Sequence, residues 1–326
     1  MILPYFLRLL CLSLASFFLL HLALGIATRI VAPFAIHFGE SLRPRFASRL
    51  FFALRMLPAT LAISIVVGLC LPSYLWLEPE ATSERVGLAC LAAALLGAAA
   101  WAVSVHRAIR AVADSLKFSR DRQELAWEAY APGEPHPIAV LEEEAPLLAL
   151  AGIVRPQIVI SDGVLRALSS DQLAAAVRHE QAHRASRDNF KRLLLLLAPD
   201  VIPFAPTTAA LDRCWARVTE WAADDEAIAG DAERSLSLAA ALVRVARMGR
   251  GPVLSPLVNA LVSGEHELRE RVDRMLGPAS APEIPRRGIG ILLSAVELGI
   301  IPLFVGLLLR ANTFYSIHQL LERLIH

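Results

Sequence analysis

The sequence has few of the features that mark a nucleic-acid-binding or disulfide-bonded protein. Lys117 and Lys191 are its only lysines, and no block of Lys and Arg residues occurs at a formal net charge of +1. A nucleic-acid partner is therefore not predicted, because its binding requires a basic patch. The four cysteines form no CxxC or CxxxC pair, so their spacing indicates neither a thiolate metal site nor a disulfide framework.

Charged residues are also scarce. They make up 19% of the chain, whereas apolar residues reach 56%. Soluble domains are typically roughly 45–50% apolar and about 25% charged. The apolar excess predicts a protein that lies in a lipid bilayer, and the abundance of Arg and Ala is typical of a GC-rich bacterial genome.

Four apolar runs are long enough to cross the hydrocarbon core of a bilayer, which takes about 20 residues. They predict transmembrane helices at about 9–27, 57–76, 86–105 and 288–309. Three spans therefore fall within 1–105, a soluble domain occupies 106–287, and a short tail of 310–326 follows the fourth span. An alternative for the first run is a cleaved signal peptide, although the run is long for one.

The arginines of the connecting loops predict the orientation of these spans. Arg43, Arg45 and Arg49 lie between the first two spans, whereas Glu80 and Glu84 dominate the next loop. Because basic loops stay in the cytoplasm, both termini are predicted outside and the soluble domain inside. The predicted location is the cell membrane, with an amphipathic external tail on its surface.

One motif in the soluble domain, His179-Glu180-Gln181-Ala182-His183, carries residues suited to zinc chemistry. Its histidines are four residues apart, so both imidazoles project from one face of a helix. They can occupy two positions around a tetrahedral zinc ion. Ser169 and Gln172 have the spacing of a capping box, which predicts where this helix begins.

Acidic residues complete the predicted site. Glu180 can reach water at the metal and act as a general base without being a ligand. Catalytic zinc often takes Glu as its third ligand, and Glu220, on the next long helix, is the best candidate. Asp224 lies on the same face and can accept the spare N–H of a ligand histidine. The predicted cofactor is Zn²⁺ and the predicted reaction is peptide-bond hydrolysis.

Each of these patterns alone has a plainer explanation. An H-E-x-x-H match also occurs in inert sequences, and acidic pairs are common on surface helices. For His266 and Arg271, on a late helix, a polar helix face is the favoured interpretation. Bracing of the site or oxyanion stabilisation is the alternative. The combination of a capped helix, paired histidines and a downstream acid favours the peptidase.

Three stretches resemble the BlaR/MecR-type membrane metallopeptidases, within a similarity that covers roughly 100–310. They are Pro156–Ser161, His179–Asn189 and Glu220–Glu226. The resemblance implies three membrane helices, a cytoplasmic zinc domain and a fourth span. The expected fold class is therefore an α-helical membrane protein with four transmembrane helices and an α+β zincin-like metallopeptidase domain.

The same resemblance assigns roles to individual residues. It implies that His179, His183 and Glu220 bind zinc and that Glu180 is the catalytic base. Asp188 would have a structural hydrogen-bonding role. The implied activity is cleavage of a cytoplasmic-side protein, a repressor or the peptidase itself, in regulatory proteolysis.

The chain departs from the antibiotic sensors of that family. Those proteins carry an extracellular penicillin-binding domain after the fourth span, whereas only 310–326 follow it here, without an S-x-x-K nucleophile motif. We therefore expect the penicillin-binding sensor domain to be missing. A signal would then enter through the spans, the loop between the second and third spans, or a partner protein.

Two other functions remain as alternatives. HtpX-type quality-control peptidases share the zinc chemistry but place membrane helices between the H-E-x-x-H helix and the Glu ligand. Here the interval from His183 to Glu220 holds only a broken apolar run, Leu193–Ala205. The second alternative is a non-catalytic signalling scaffold with a structural metal site, which has no use for Glu180.

A strand before the active-site helix suggests how a substrate binds. Gln157–Ser161 follows Pro156 and precedes the turn residues Asp162 and Gly163, which predicts a strand. We expect it to be an edge strand with which an extended peptide pairs.

Overall fold

Long helices dominate the fold, and a small sheet lies among them. The computed structural model describes residues 4–78, 86–123, 126–129, 137–200, 206–249, 257, 259–261, 265–277 and 311–325. The helices are α1 (Tyr5–Glu40), α2 (Pro44–Ile65), α3 (Leu71–Leu77), α4 (Leu88–Gln123), α5 (Asp162–Ala167), α6 (Ser170–Ser186), α7 (Asp188–Leu197), α8 (Pro206–Ile228), α9 (Ala232–Arg247), α10 (Glu265–Leu276) and α11 (Ala311–Ile325). The strands are β1 (Ala126–Ala129), β2 (Ile138–Leu141), β3 (Leu148–Ala151), β4 (Gln157–Ser161) and β5 (Asn259–Ala260).

Three helical rods are long and apolar enough to cross a membrane. They run over Tyr5–Glu40, Pro44–Leu77 and Leu88–Arg120, and the second joins α2 to α3 through a π-helical turn at Val66–Cys70. The first two contain the predicted spans 9–27 and 57–76, and the third covers all but the first two residues of 86–105; each rod is longer than its predicted span. A helix of 36 residues, such as α1, is about 54 Å long, whereas the hydrocarbon core is about 30 Å thick. The rods therefore extend beyond the bilayer. The predicted fourth span, 288–309, lies outside the described residues.

The sheet is mixed, with strand order β1-β2-β4-β3-β5. β2 and β4 are parallel, and the other neighbouring strands are antiparallel. The prediction that Gln157–Ser161 is an edge strand is therefore wrong, because β4 lies in the middle of the sheet. Leu148–Ala151, which the sequence analysis did not identify as a strand, pairs along one side of β4, and Ile138–Leu141 pairs along the other.

Both faces of the sheet are buried. Side chains that include Val140, Leu150 and Ile158 face α6 and α9 in the largest apolar cluster of the domain. Alternate residues, among them Ala149 and Val159, face the opposite side, where Phe118 of α4 packs against them. Successive side chains of a strand point to opposite faces of the sheet. One face therefore packs against the extension of a membrane helix, and the other packs against the H-E-x-x-H helix.

The H-E-x-x-H helix begins where the sequence predicts. The Ser169 hydroxyl accepts a hydrogen bond from the Gln172 backbone N–H, and the Gln172 side chain accepts one from the Ser169 N–H. This reciprocal pair satisfies backbone donors that the helix leaves free and confirms the predicted capping box. At the other end Arg187 has a left-handed backbone, with φ 55°, which separates α6 from α7.

The membrane rods contact the rest of the chain at both ends. The first half of α2 packs against α8 in a cluster that includes Phe51 and Trp215. At the other end, the Ser73 hydroxyl of α3 donates a hydrogen bond to the Phe314 carbonyl of α11. The domain that contains the sheet and the C-terminal helix α11 therefore lie at opposite ends of the α2–α3 rod.

The helix α9 provides a test of this packing. Leu242 is 0% exposed within the largest cluster, whereas Leu236 on the same helix is 60% exposed. We expect Leu242→Ala to lower the free energy of unfolding by about 2–5 kcal/mol, because it leaves a cavity in the core. Thermal unfolding of the purified protein in detergent measures the effect. Leu236→Ala is the matched control, and equal melting temperatures for the two variants would contradict this packing.

Candidate metal centre

The two histidines of α6 converge on one point. His179 and His183 are both 0% exposed, and their Nε2 atoms are 3.1 Å apart. The four-residue spacing places them one above the other on the face of α6 that is turned toward α8. The local sequence therefore determines half of the arrangement.

Helix α8 brings a carboxylate to the same point. Glu220 Oε2 lies 3.5 Å from His179 Nε2, and Glu220 Oε1 lies 3.6 Å from His183 Nε2. Together the three residues form a group that can hold a metal ion. Their separation in sequence means that this part of the arrangement depends on the packing of α6 against α8.

Each histidine has a carboxylate behind it. His183 Nδ1 is 2.9 Å from Asp188 Oδ2. The other carboxylate oxygen of Asp188 accepts a hydrogen bond from Lys191 Nζ at 2.9 Å. His179 Nδ1 is 3.0 Å from Asp224 Oδ1, although its N–H is poorly aligned with that oxygen. An ionised carboxylate only accepts, so both Nδ1 atoms carry hydrogen when the rings are neutral. Both Nε2 lone pairs then face the centre.

This set of donor atoms fits a tetrahedral cation. Two imidazole lone pairs and a carboxylate repel one another at 3.1–3.6 Å unless positive charge lies between them. Ligands bound to zinc at 2.0–2.2 Å in a tetrahedron are about 3.3–3.6 Å apart. The observed spacing therefore suits zinc, and the carboxylates behind the rings would fix the required tautomers.

The electrostatics of the buried cluster also favour a cation. Burial alone would lower the pKa of His183, but the Glu220 carboxylate and the hydrogen bond with Asp188 raise it to about 10. Burial opposes ionisation of Glu220, yet the two histidines and Arg271 hold its pKa well below its usual range. The three-residue site therefore retains a negative carboxylate and attracts positive charge.

Glu180 lies beside this group and is 0% exposed. Neither of its carboxylate oxygens has a hydrogen-bond partner among the residues that the structure describes. Burial raises the pKa of Glu180 to about 7, although the adjacent imidazoles act in the opposite direction. A buried carboxyl group without a partner is costly, and such groups are typically kept for a function.

Arg271 of α10 is an additional member of the site. It is 4% exposed, and its guanidinium donates to both oxygens of Asp224, at 2.9 and 2.7 Å. Its Nη1 also lies 3.2 Å from Glu220 Oε2 and donates to the Leu261 carbonyl at 2.8 Å. The favoured interpretation of Arg271 as part of a polar helix face is therefore wrong, whereas the side chain of His266 lies outside the described residues.

The sequence contains a signal that identifies Arg271. Leu268 and Met275 pack against the domain core, and Arg271 is three residues after the first and four before the second. It therefore lies on the apolar stripe of an otherwise polar helix. A charged residue in such a stripe must be paired in the interior, and the acidic residues of α8 provide its partners.

A cavity of about 390 Å³ opens beside His183, between the β3–β4 turn and the junction of α6 with α7. Leu150, Val154 and Phe190 are among its apolar walls, and Arg184 and Arg187 lie on its rim. The metal-binding atoms of the site are themselves buried. Among the described residues, this cavity reaches one of the three members of the site, His183.

Comparison with known proteins identifies the family. A profile of the BlaR1 peptidase M56 family matches residues 59–275, about two thirds of the chain, and includes α6, α8 and α10. The chain belongs to this family. No curated protein matches the sequence. As an M56 family member, the chain is a membrane-associated metallopeptidase, which agrees with its three apolar helices and with a His/Glu group able to hold a metal.

The first prediction for this M56 site concerns metal content. We expect about one zinc ion per chain in the wild type and little or none in His183→Ala, because the variant loses one of three donors. His106→Ala, at an exposed position of α4, is the matched control and should retain zinc. Elemental analysis of the purified proteins measures the ratio. Equal zinc content in wild type and His183→Ala would contradict the assignment.

The second prediction concerns the carboxylate behind His179. Asp224 is 0% exposed, whereas the side chain of its neighbour Asp225 is 46% exposed and pairs with Arg274. We expect Asp224→Ala to weaken zinc binding or activity by about 10- to 100-fold, a typical loss for a group that orients a ligand. Asp225→Ala should change neither. Titration with a competing chelator distinguishes them, and similar affinities would show that Asp224 does not orient the ring.

Proposed function

We propose that the protein is a zinc-dependent endopeptidase with a zincin-like domain. His179, His183 and Glu220 are the proposed zinc ligands, and Glu180 is the proposed catalytic base. The observation that carries this proposal is the buried Glu180 carboxylate, which has no partner among the described residues and lies beside a set of donors spaced for a tetrahedral metal. A structural metal site has no need for such a carboxylate, so the geometry favours a peptidase over a signalling scaffold.

The proposed roles follow from the positions of the side chains. Bound zinc would supply a Lewis acid that polarises a peptide carbonyl and makes water more acidic. Glu180 takes the proton from the attacking water and passes it to the departing amine. Asp188 and Asp224 hold the two imidazoles in the orientation that directs Nε2 to the centre. Arg271 neutralises Asp224 and part of the charge of Glu220.

The proposed substrate is a protein presented on the cytoplasmic side, cleaved as one step of a regulatory pathway. A repressor or the peptidase itself is the expected target. The M56 family match favours regulatory proteolysis over HtpX-type quality control. In addition, α7 has only 10 residues, about 15 Å, so it does not supply the membrane helix that the HtpX type places in this interval.

Replacement of the base tests the activity. We expect Glu180→Gln to retain zinc and fold but to lose most hydrolysis, because the amide cannot accept the proton from water. Glu226→Gln, exposed on α8, is the matched control and should remain active. Comparative proteomics of cells that carry each form identifies the proteins that accumulate uncut.

The pattern of accumulated proteins distinguishes the alternatives. A single stabilised cytoplasmic regulator supports regulatory proteolysis, whereas stabilisation of damaged membrane proteins alone favours quality control. Retained cleavage by Glu180→Gln would contradict the proposed mechanism.

The proposed topology has four spans, with 106–287 in the cytoplasm and both termini outside. The contacts of α2 support it in part. The domain with the sheet meets the first half of the α2–α3 rod, and α11 meets the other end. We propose that the fourth span at 288–309 connects these two ends.

Reporter fusions test this orientation. Because basic loops remain inside, fusions after Arg49 and within 120–280 should fluoresce as cytoplasmic GFP. Fusions at Glu80 and after Tyr315 should instead give active external alkaline phosphatase. An external signal from the domain within 120–280 would reverse the proposed topology.

A further inference from the structure

Helix α8, which supplies Glu220, lies against the membrane rod that begins at α2. The contact contains an apolar cluster with members from α1, α2 and α8, namely Ala32, Ala47, Phe51, Leu211, Trp215 and Val218. All of them are at most 4% exposed. Close-packed interiors transmit displacement because they have few voids in which to absorb it. The position of α8 is therefore set by α2 as much as by the domain that contains the sheet.

A hydrogen bond joins the two helices next to the proposed ligand. The Ser48 hydroxyl of α2 lies 3.0 Å from the Thr219 hydroxyl of α8, and both residues are buried. Thr219 immediately precedes Glu220 in the sequence. The bond therefore constrains the rotation of α8 about its axis and its displacement along that axis. It does so one residue from Glu220, whose carboxylate faces His179 and His183.

A group of ion pairs fixes the same contact farther along α2. Arg55 donates to Asp200 at 2.7 Å and to Asp212 of α8 at 3.1 Å, and its side chain is 8% exposed. Asp200 also accepts from Arg107 of α4 at 3.0 Å. Asp200 and Asp212 are partly exposed, whereas the Arg55 side chain is buried, so loss of a carboxylate leaves the buried guanidinium less well compensated.

We propose that α2 positions Glu220 through α8, with Ser48 and Arg55 as positioning residues. A displacement of the second membrane helix along or around its axis then moves the Glu220 carboxylate relative to the two histidines. The membrane segment thus regulates metal affinity and, with it, the reaction. This inference rests on the proposed role of Glu220 as a ligand and adds a route by which the spans act on the site.

Zinc affinity of the purified full-length protein tests the proposal, with a competing chelator as the probe. Ser48→Ala and Thr219→Val each leave one hydroxyl without its partner across the helix contact. We expect each to raise the zinc Kd about three- to tenfold. The double variant should show less than the product of the two effects, because both hydroxyls belong to one interaction. Thr219→Ser keeps the hydroxyl and should therefore have the zinc affinity of the wild type.

Two further variants keep the test decisive. Arg55→Lys retains the charge but loses the forked contact with Asp200 and Asp212, and it should also weaken zinc binding. Ser104→Ala is the matched control, since Ser104 is buried in α4 but donates to carbonyls of its own helix. Melting temperatures identify the variants that remain folded, and affinity is compared among those.

The outcomes separate this proposal from the proposed function. The proposal is supported when the wild type binds zinc and the affinity falls in Ser48→Ala, Thr219→Val and Arg55→Lys but not in Ser104→Ala. Wild-type affinity in all folded variants overturns the positioning role and leaves the peptidase assignment intact. A wild-type protein that binds no zinc overturns the proposed function itself, and the inference with it.

Discussion

The charged and polar side chains that α6, α8 and α10 bring together are buried, and their pairing constrains how these helices pack. His179, His183, Glu180 and Asp224 are all 0% exposed, and Glu220 is 9% exposed. Such groups are stable in the interior only when they are paired, hydrogen-bonded or bound to a metal. Arg271 compensates Asp224 with two hydrogen bonds. The ligand atoms of His179, His183 and Glu220 face one point, and Glu180 lies beside it. This arrangement supports the proposed metal site with Glu180 as its base.

Local patterns predicted the parts of the site that depend on one helix. The i,i+4 spacing placed His179 and His183 together, and the capping box located the start of α6. Glu220 followed from chemical need and from its position on the next long helix. Arg271 required knowledge of how α10 packs. The central position of β4 depended on pairing with β3, whose short apolar sequence lacks a clear strand signal. Interactions between distant segments were thus the least predictable.

The membrane helices are part of the enzyme rather than a simple anchor. α1, the α2–α3 rod and α4 are longer than a bilayer core is thick, and their extensions contact both the sheet and α8. Phe118 of α4 covers one face of the sheet, and Ser48 of α2 reaches the residue before Glu220. Hydropathy predicted three of these apolar helices but could not show these contacts, since they join segments that are far apart in the sequence. These contacts support the proposed coupling between the second membrane helix and the proposed metal site.

X-ray absorption spectroscopy at the zinc edge measures which atoms bind the proposed metal. The purified full-length Glu180→Gln protein suits it, because it retains the proposed ligands but turns over little substrate. We expect a four-coordinate zinc with two imidazole nitrogens at about 2.0–2.1 Å and oxygen ligands at about 2.0–2.2 Å. A spectrum with sulfur ligands at about 2.3 Å, or one without imidazole scattering, would contradict the assignment of His179, His183 and Glu220.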